Sequence, residues 1–201
     1  IMVFKPENRN ELDDAIKIYT ENKEEGIKLY GNINTWNVEN IDYMSQLFKN
    51  CENFNEDISN WNVKNVEHMY AMFQNCCNFN QPLDSWNVGK VKNMNYMFQN
   101  AHKFNQLLNS WNTSNVKTMW GMFSGAESFN QPLDSWDTSN VEGMQSMFGG
   151  AKSFNQSLDS WNTSKVEFVN YMFSGAENFN QPLDNWNVKN VINMGYMFRD
   201  A

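Results

Sequence analysis

The chain has 201 residues, a mean hydropathy of −0.68 and 15% aromatic side chains, so its apolar content sits in a few large residues among many Asn, Ser and Gln. That aromatic share is foreign to disordered chains. A net charge of −8, with no basic stripe, argues against nucleic acid as a partner, and no apolar run approaches the length of a bilayer span, so no membrane contact is expected.

Taken from its start, Ile1-Met2-Val3-Phe4-Lys5-Pro6 is not a secretory signal, and Phe4-Lys5-Pro6 predicts a short edge strand. From Asn10 onward, Leu12, Ala15, Ile16 and Tyr19 fall on one face of a helix, with Asn10 as its N-cap and acidic residues in its first turn. An amphipathic helix of this kind seals the first unit of a repeat array. Residues 1–35 are therefore predicted as an N-terminal cap of one short strand and one helix, and residues 36–201 as the repeat.

The repeat is strict. Trp36, Trp61, Trp86, Trp111, Trp136, Trp161 and Trp186 stand 25 residues apart with no insertion or deletion. A loop inserted inside any unit would break that spacing, so each unit is one turn of a coil that buries its apolar face against its neighbours. With each tryptophan as position 0, position +5 is Ile41 and then valine, position +8 is methionine except at Val169, and position +11 is Leu47 and then methionine. A phenylalanine follows at +12 (Phe48 to Phe198), with a small residue at +15. These offsets match helix periodicity and predict a short inward-facing helix in every coil. Ser114, Ser139 and Ser164 precede it as candidate caps; Gly125, Gly150 and Gly175, like Asn50, Asn75 and Asn100, suit a left-handed turn at its end.

Between those segments runs Phe-Asn-Gln-x-Leu-x-x-Trp, as in Phe129-Asn130-Gln131-Pro132-Leu133-Asp134-Ser135-Trp136. Pro82, Pro132 and Pro182 oppose a helix there and predict an extended segment stacked as a parallel ladder. Phe54 to Phe179 should stack ring over ring, and Asn55 to Asn180 should form an asparagine ladder.

The combination of Trp-Asn-Val/Thr-Ser-Asn-Val-x-x-Met-x-x-Met-Phe-x-x-Ala with Phe-Asn-Gln-x-Leu, near-consensus from Trp111 to Phe123 and on through Gln131, resembles the surface-protein repeat of mycoplasma lipoproteins and BspA-like proteins. The likeness covers roughly residues 33–201. Glu39, Lys64, Gly89 and Lys189 replace its serine, and Cys51 and Cys76 its alanine. The resemblance implies kinship with leucine-rich repeats, a cell-surface or secreted location, and adhesion to host or neighbouring cells. It supplies no catalytic residues. The expected fold is thus an α/β, leucine-rich-repeat-like solenoid of about seven coils, with one short helix and one short extended segment per coil and a helical N-terminal cap. Each coil carries about seven large apolar side chains, and burying one contributes roughly 1.5–3 kcal/mol. The last coil, ending at Arg199-Asp200-Ala201 inside a repeat, has no polar cap; a truncated array, covered by further chain, a second copy or a neighbour, is expected, with end-to-end association as one outcome.

The chemistry-bearing residues are sparse. His68 and His102 occupy different repeat positions without recurring ligand spacing, so no transition-metal site is expected, and no phosphate loop or nucleophile elbow is present. Neither a cofactor nor an enzymatic activity is predicted. Asp84, Asp134, Asp159 and Asp184 form a column that either closes turns or gathers calcium; Ser59 and Asn109 in the same column favour the turn. Cys51 and Cys76 stand one coil apart as small buried residues or, less readily given the separation of neighbouring coils, a disulfide. Asn112, Asn155 and Asn162 fit the glycosylation acceptor pattern, with Asn155 expected to be buried.

Beyond the repeat pattern stand extra aromatics at positions +7, +9 and +10: Tyr43, Tyr70, Tyr96, Trp120, Phe168, Tyr171 and Tyr196. On the expected helices they lie outside or beside the apolar stripe, and such rings are enriched at interfaces. They are the candidate partner-binding residues, for a protein or glycan ligand; packing against neighbouring coils is the competing explanation. The predicted function is a non-enzymatic surface repeat module that mediates adhesion, the alternative being a structural spacer or self-assembling scaffold of the cell envelope.

Overall fold

The structure, a computed structural model, describes residues 3–201. Ile1 and Met2, which open the expected cap, lie outside the described residues. The N-terminal segment forms two helices, α1 over Arg9–Glu21 and α2 over Lys23–Tyr30, followed by a single 3-10 turn over Ile33–Thr35. α1 buries Leu12, Ala15, Ile16 and Tyr19, the face its periodicity predicts. Its N-cap is Asn8 rather than Asn10: the Asn8 side chain accepts from the Glu11 N–H at 3.1 Å. α2 was not foreseen. It starts at Asn22, whose side chain accepts from the Glu25 N–H, and ends at Gly31. The expected strand at Phe4-Lys5-Pro6 does not form; the Phe4 carbonyl takes only the Asn37 N–H at 2.9 Å. Phe4, Tyr19 and Tyr30 close around Trp36 with ring centroids 5.0, 5.6 and 5.8 Å away. α1 runs along the first coil: Arg9 near its start donates to the Tyr43 carbonyl, and Thr20 near its end lines one cavity with Cys51.

The coils are not α/β, and this overturns the expected solenoid. Among the described residues no helix lies beyond the N-terminal segment, and no strand forms; the only β-pairing is a set of single parallel bridges. Those bridges link Tyr43, His68, Asn93, Thr118, Gly143, Phe168 and Asn193, at position +7, inside the segment expected to be helical. The ladder therefore starts beside the Met-x-x-Met-Phe segment, whereas the Phe-Asn-Gln segment predicted to carry it has no bridge.

Each coil is a succession of tight turns. In the coil of Trp111, N–H groups reach back three residues at Val116 to Thr113, Met122 to Met119, Ser124 to Gly121, Ala126 to Phe123 and Phe129 to Ala126. Two residues per coil are left-handed, at +10 and +14, and this prevents a helix from propagating. At +14 these are the foreseen residues (Asn50 at φ 65, Gly125 at φ 69), but at +10 they include Ala71, Tyr96, Ser146 and Tyr171 at φ 52 to 57. Because the handedness alternates, alternate N–H groups leave the coil. Met94, Tyr96, Phe98 and Asn100 donate to the carbonyls of Thr118, Trp120, Met122 and Ser124 at 2.7–3.1 Å, and the same four bonds recur at all six interfaces between coils. A helix would have kept those donors inside its own coil and left the coils joined by side chains alone. The helical offsets arise because turns of three residues also return apolar side chains to one side.

Side chains complete the joints. The asparagine or aspartate after each tryptophan accepts the N–H two residues on, as Asn112 does from Ser114 at 3.1 Å and Asp137 from Ser139 at 2.9 Å; the serines thus sit in Asx turns and cap no helix. The asparagine ladder forms: the side-chain oxygens of Asn55, Asn80, Asn105, Asn130 and Asn155 accept the backbone N–H of the next asparagine at 2.9–3.0 Å. Asn155 belongs to that ladder and is half-buried rather than buried.

The interior is three aromatic columns. Phe73, Phe98, Phe123, Phe148 and Phe173 lie 5.5–5.7 Å apart and nearly parallel, and each stacks within its own coil on the second phenylalanine at 4.0–4.2 Å. Indoles overlie one another, Trp111 on Trp136 at 6.3 Å and Trp136 on Trp161 at 6.4 Å. From Trp61 onward the buried indole N–H groups are satisfied by the carbonyl 28 residues earlier: Trp111 donates to the Leu83 carbonyl and Trp136 to Leu108, both at 2.9 Å. This answers the cost of burying an indole donor. Cys51, Cys76 and Cys77 are free thiols. The Cys76 thiol donates to the Phe48 carbonyl, and burial pushes its pKa upward.

Candidate binding face

The alternation that builds the ladder also makes a face. Met at +8 and Met and Phe at +11 and +12 point inward, and +7, +9 and +10 form the outer edge of the ladder, where Ser45, Ala71, Asn95, Gly121 and Gly143 are buried while Tyr43, Trp120, Tyr171 and Tyr196 stay exposed. All seven aromatics singled out by the sequence fall on this ribbon, which the ladder forms in place of the expected outer helical surface.

They are not gathered into one pocket. Tyr43 meets His68 at 5.9 Å and the Arg9 guanidinium at 5.6 Å; Tyr70 and Tyr96 pack edge-on at 5.9 Å; Tyr171 and Tyr196 stack at 5.1 Å. Trp120, 39% exposed, lies over Gly143. Phe168, half-buried, carries the bridges that join its coil to both neighbours. Packing and exposure therefore coexist: each ring leans on an adjacent coil and keeps one side open.

The sequence reading missed the polar partners of these rings. Position +9 runs Ser45, Tyr70, Asn95, Trp120, Gln145, Asn170 and Gly195. Asn95, almost fully buried, accepts from the Trp120 N–H at 2.8 Å and the Thr118 hydroxyl at 2.7 Å, and so fixes the backbone that carries the indole. Ser45 Oγ, Gln145 Oε1 and Asn170 Oδ1, all in this column, are buried atoms without a hydrogen-bond partner among the described residues. An amide or hydroxyl oxygen left unmatched costs desolvation free energy. The signal visible in the sequence is that this column changes from coil to coil while the inward positions beside it are almost constant.

Other surfaces are occupied differently. The aspartate column closes turns between coils: Asp84 accepts from the Ser110 N–H and hydroxyl, and Asp159 from the Asn185 amide at 2.7 Å. Among the described residues no group of three or more His, Cys, Asp or Glu is placed to hold a metal. A cavity of about 490 Å³ opens between the helices and the first coil, lined by Tyr19, Lys23, Cys51, Phe54 and Glu56. Burial and the nearby Glu56 carboxylate push the Tyr19 hydroxyl pKa up, while the 2.7 Å hydrogen bond to Glu56 holds the Lys23 ammonium above its ordinary value. No helix among the described residues is long and apolar enough to cross a membrane.

An uninterrupted stack of identical coils with a ribbon of rings and amides defines a repeat-containing protein. Comparison with known families places it further: the family described as "Mycoplasma protein of unknown function, DUF285" matches residues 16–132 and again 107–201. The chain belongs to that family. Comparison with curated proteins gave no match.

Proposed function

We propose that the chain is a non-enzymatic, cell-surface or secreted repeat module whose +7/+9/+10 ribbon binds a protein or glycan ligand on a host or neighbouring cell. What supports the reading is the run of half-open rings along one edge of the stack, Tyr43, Trp120, Tyr171 and Tyr196 among them. Rings supply contact area at low entropic cost. These groups hold a ligand without transferring a proton, which agrees with a binding role rather than a catalytic one. The resemblance of the repeat to BspA-like and mycoplasma lipoprotein repeats favours the surface location and the adhesive role. Repetition along the stack favours many weak contacts acting together.

The test is binding of purified chain to glycan and cell-surface protein arrays, set beside the Trp120→Ala/Tyr171→Ala double variant, with circular dichroism as the control for folding. Binding that falls at least tenfold in a folded double variant supports the proposal. Absence of any ligand, or a ligand held equally by both proteins, overturns it. A structural spacer of the envelope is the second reading, favoured by the continuous ladder of backbone bonds that joins every coil to the next.

A further inference from the structure

The two N-terminal helices cover the first coil only in part. α1 lies beside Tyr43 and α2 closes on Trp36 through Tyr30, and the stretch from Cys51 to Glu56 faces the cavity of about 490 Å³ between them. Two backbone donors are stranded there. In the five coils that follow, the N–H at +17 donates to a carbonyl of the preceding coil at 3.1–3.2 Å, as Asn78 does to Glu52, and the N–H at +19 donates to a ladder asparagine at 2.9–3.0 Å, as Asn80 does to Asn55. The same groups of the first coil, the N–H of Asn53 and of Asn55, have no acceptor among the described residues. Asn53 lines the cavity, and Asn55 stands between the lining residues Phe54 and Glu56. Position +20 departs from the repeat at the same place. Later coils carry a glutamine that reaches back, as Gln81 does to the Asn55 carbonyl at 3.1 Å, whereas Glu56 instead holds Lys23 at 2.7 Å. In the α1 wall, Tyr19 is 2% exposed and its hydroxyl is buried with no hydrogen-bond partner among the described residues.

We propose that this cavity binds a free α-amino acid, with its carboxylate on the Asn53 and Asn55 N–H groups and its ammonium against Glu21 and Glu52. Paired backbone N–H groups of this kind capture carboxylates elsewhere in proteins. Glu21 and Glu52 line the cavity, are exposed, and pair with no cation among the described residues, while the one ammonium of the lining, Lys23, is already held by Glu56. A simple anion would meet those carboxylates, and a simple amine would leave the two N–H donors unmatched; a zwitterion answers both. The Phe54 ring and the Cys51 thiol, which burial keeps protonated, supply an apolar wall for the side chain. The volume lies within the range of small-molecule pockets, about 300–1,000 Å³. None of the seven ribbon aromatics lines the cavity, so this site is separate from the ribbon.

The experiment titrates glycine, leucine, glutamate and phenylalanine singly into the full chain, with amide NMR as the readout. The tightest of the four is then compared with the amine that lacks its carboxylate and the acid that lacks its ammonium. The amino acid should move the Asn53 and Asn55 amide signals saturably and bind at least about tenfold more tightly than either analogue. Glu21→Gln/Glu52→Gln, at two exposed and unpaired positions, should weaken binding by a similar factor at an unchanged thermal midpoint. Tyr19→Phe should also weaken it while the midpoint holds or rises, because the hydroxyl has no partner to lose. If no amino acid moves those two signals at millimolar concentration, or an analogue binds equally well, the proposal is overturned. Parent-like binding by either folded variant overturns it too.

Discussion

The indole of Trp120 rests on Gly143 of the following coil: a β-carbon on Gly143 would stand 2.8 Å from the indole Cδ1 and nearer still to Nε1. Gly143 is itself a bridge residue of the ladder, paired with Thr118 and Phe168. The backbone can run there unchanged while any side chain must push the ring aside. Gly143→Ala should therefore displace Trp120 outward, at a cost of about 1–3 kcal/mol for the overpacked contact, and weaken ligand binding by as much as Trp120→Ala. Unfolding midpoints and the ligand titration proposed above check this together. A Gly143→Ala protein that binds normally would separate the ring's seat from its function.

The left-handed positions give a paired prediction. Ser146 holds φ 53 and Gly125 holds φ 69. Only glycine adopts that region without strain, which costs other residues roughly 1–2 kcal/mol. Ser146→Gly should relieve it and leave stability unchanged or slightly raised, because greater freedom in the unfolded chain offsets part of the gain. Gly125→Ala should lose about 1–3 kcal/mol, since its β-carbon also runs into the Asn100 amide. Urea midpoints of the two variants should fall on opposite sides of the parent, or the Ser146 variant should coincide with it. Equal losses would contradict the alternating handedness.

Those same positions explain how much could be read in advance. The Trp, Phe and Met columns were legible because burial repeats with the coil and leaves an unbroken pattern of large side chains. The asparagine ladder was legible because amides recur where turns need acceptors. The backbone path between them was not. Apolar residues at +5, +8, +11, +12 and +15 suit a helix and a run of three-residue turns equally well. The residue that decides is +10, where Gln46, Ala71, Tyr96, Ser146 and Tyr171 carry no sign of positive φ and only Gly121 hints at it. A helix was therefore expected where the ladder lies, and the ladder where only turns lie. On the +7/+9/+10 ribbon the rings declared themselves as departures from the repeat. Gln145 and Asn170 did not, because whether an amide finds a partner depends on side chains 25 residues away.

Trp111 tests the stack itself. It overlies Trp136 at 6.3 Å, meets Phe98 at 6.4 Å and donates to the Leu83 carbonyl. Trp111→Ala removes both ring contacts and leaves that carbonyl short of one donor, so a loss of about 3–5 kcal/mol is expected. In an array where each coil touches only its neighbours, a defect at the middle divides the cooperative unit. Thermal unfolding followed by circular dichroism should show a lower and broader transition than the parent. Parent-like unfolding would mean that the indoles do not hold the coils in register.

Charge pairs between coils set the pH response. Lys92 bonds Glu67 of the preceding coil at 2.6 Å and Lys152 bonds Glu127 at 3.1 Å, and these hydrogen bonds hold both glutamates below the ordinary carboxylate pKa. A carboxylate whose pKa is lower in the folded state stabilises that state above its unfolded value, near pH 4.3, and the contribution disappears as pH falls through the lowered folded value. Both pairs are exposed and screened, so the effect is small and shrinks further in salt. Glu67→Gln/Glu127→Gln should lower the thermal midpoint slightly at pH 7 in low salt, and the difference from the parent should close as the pH drops below the carboxylate range. A gap that persists at low pH would assign the loss to packing of the glutamate stems rather than to their charge.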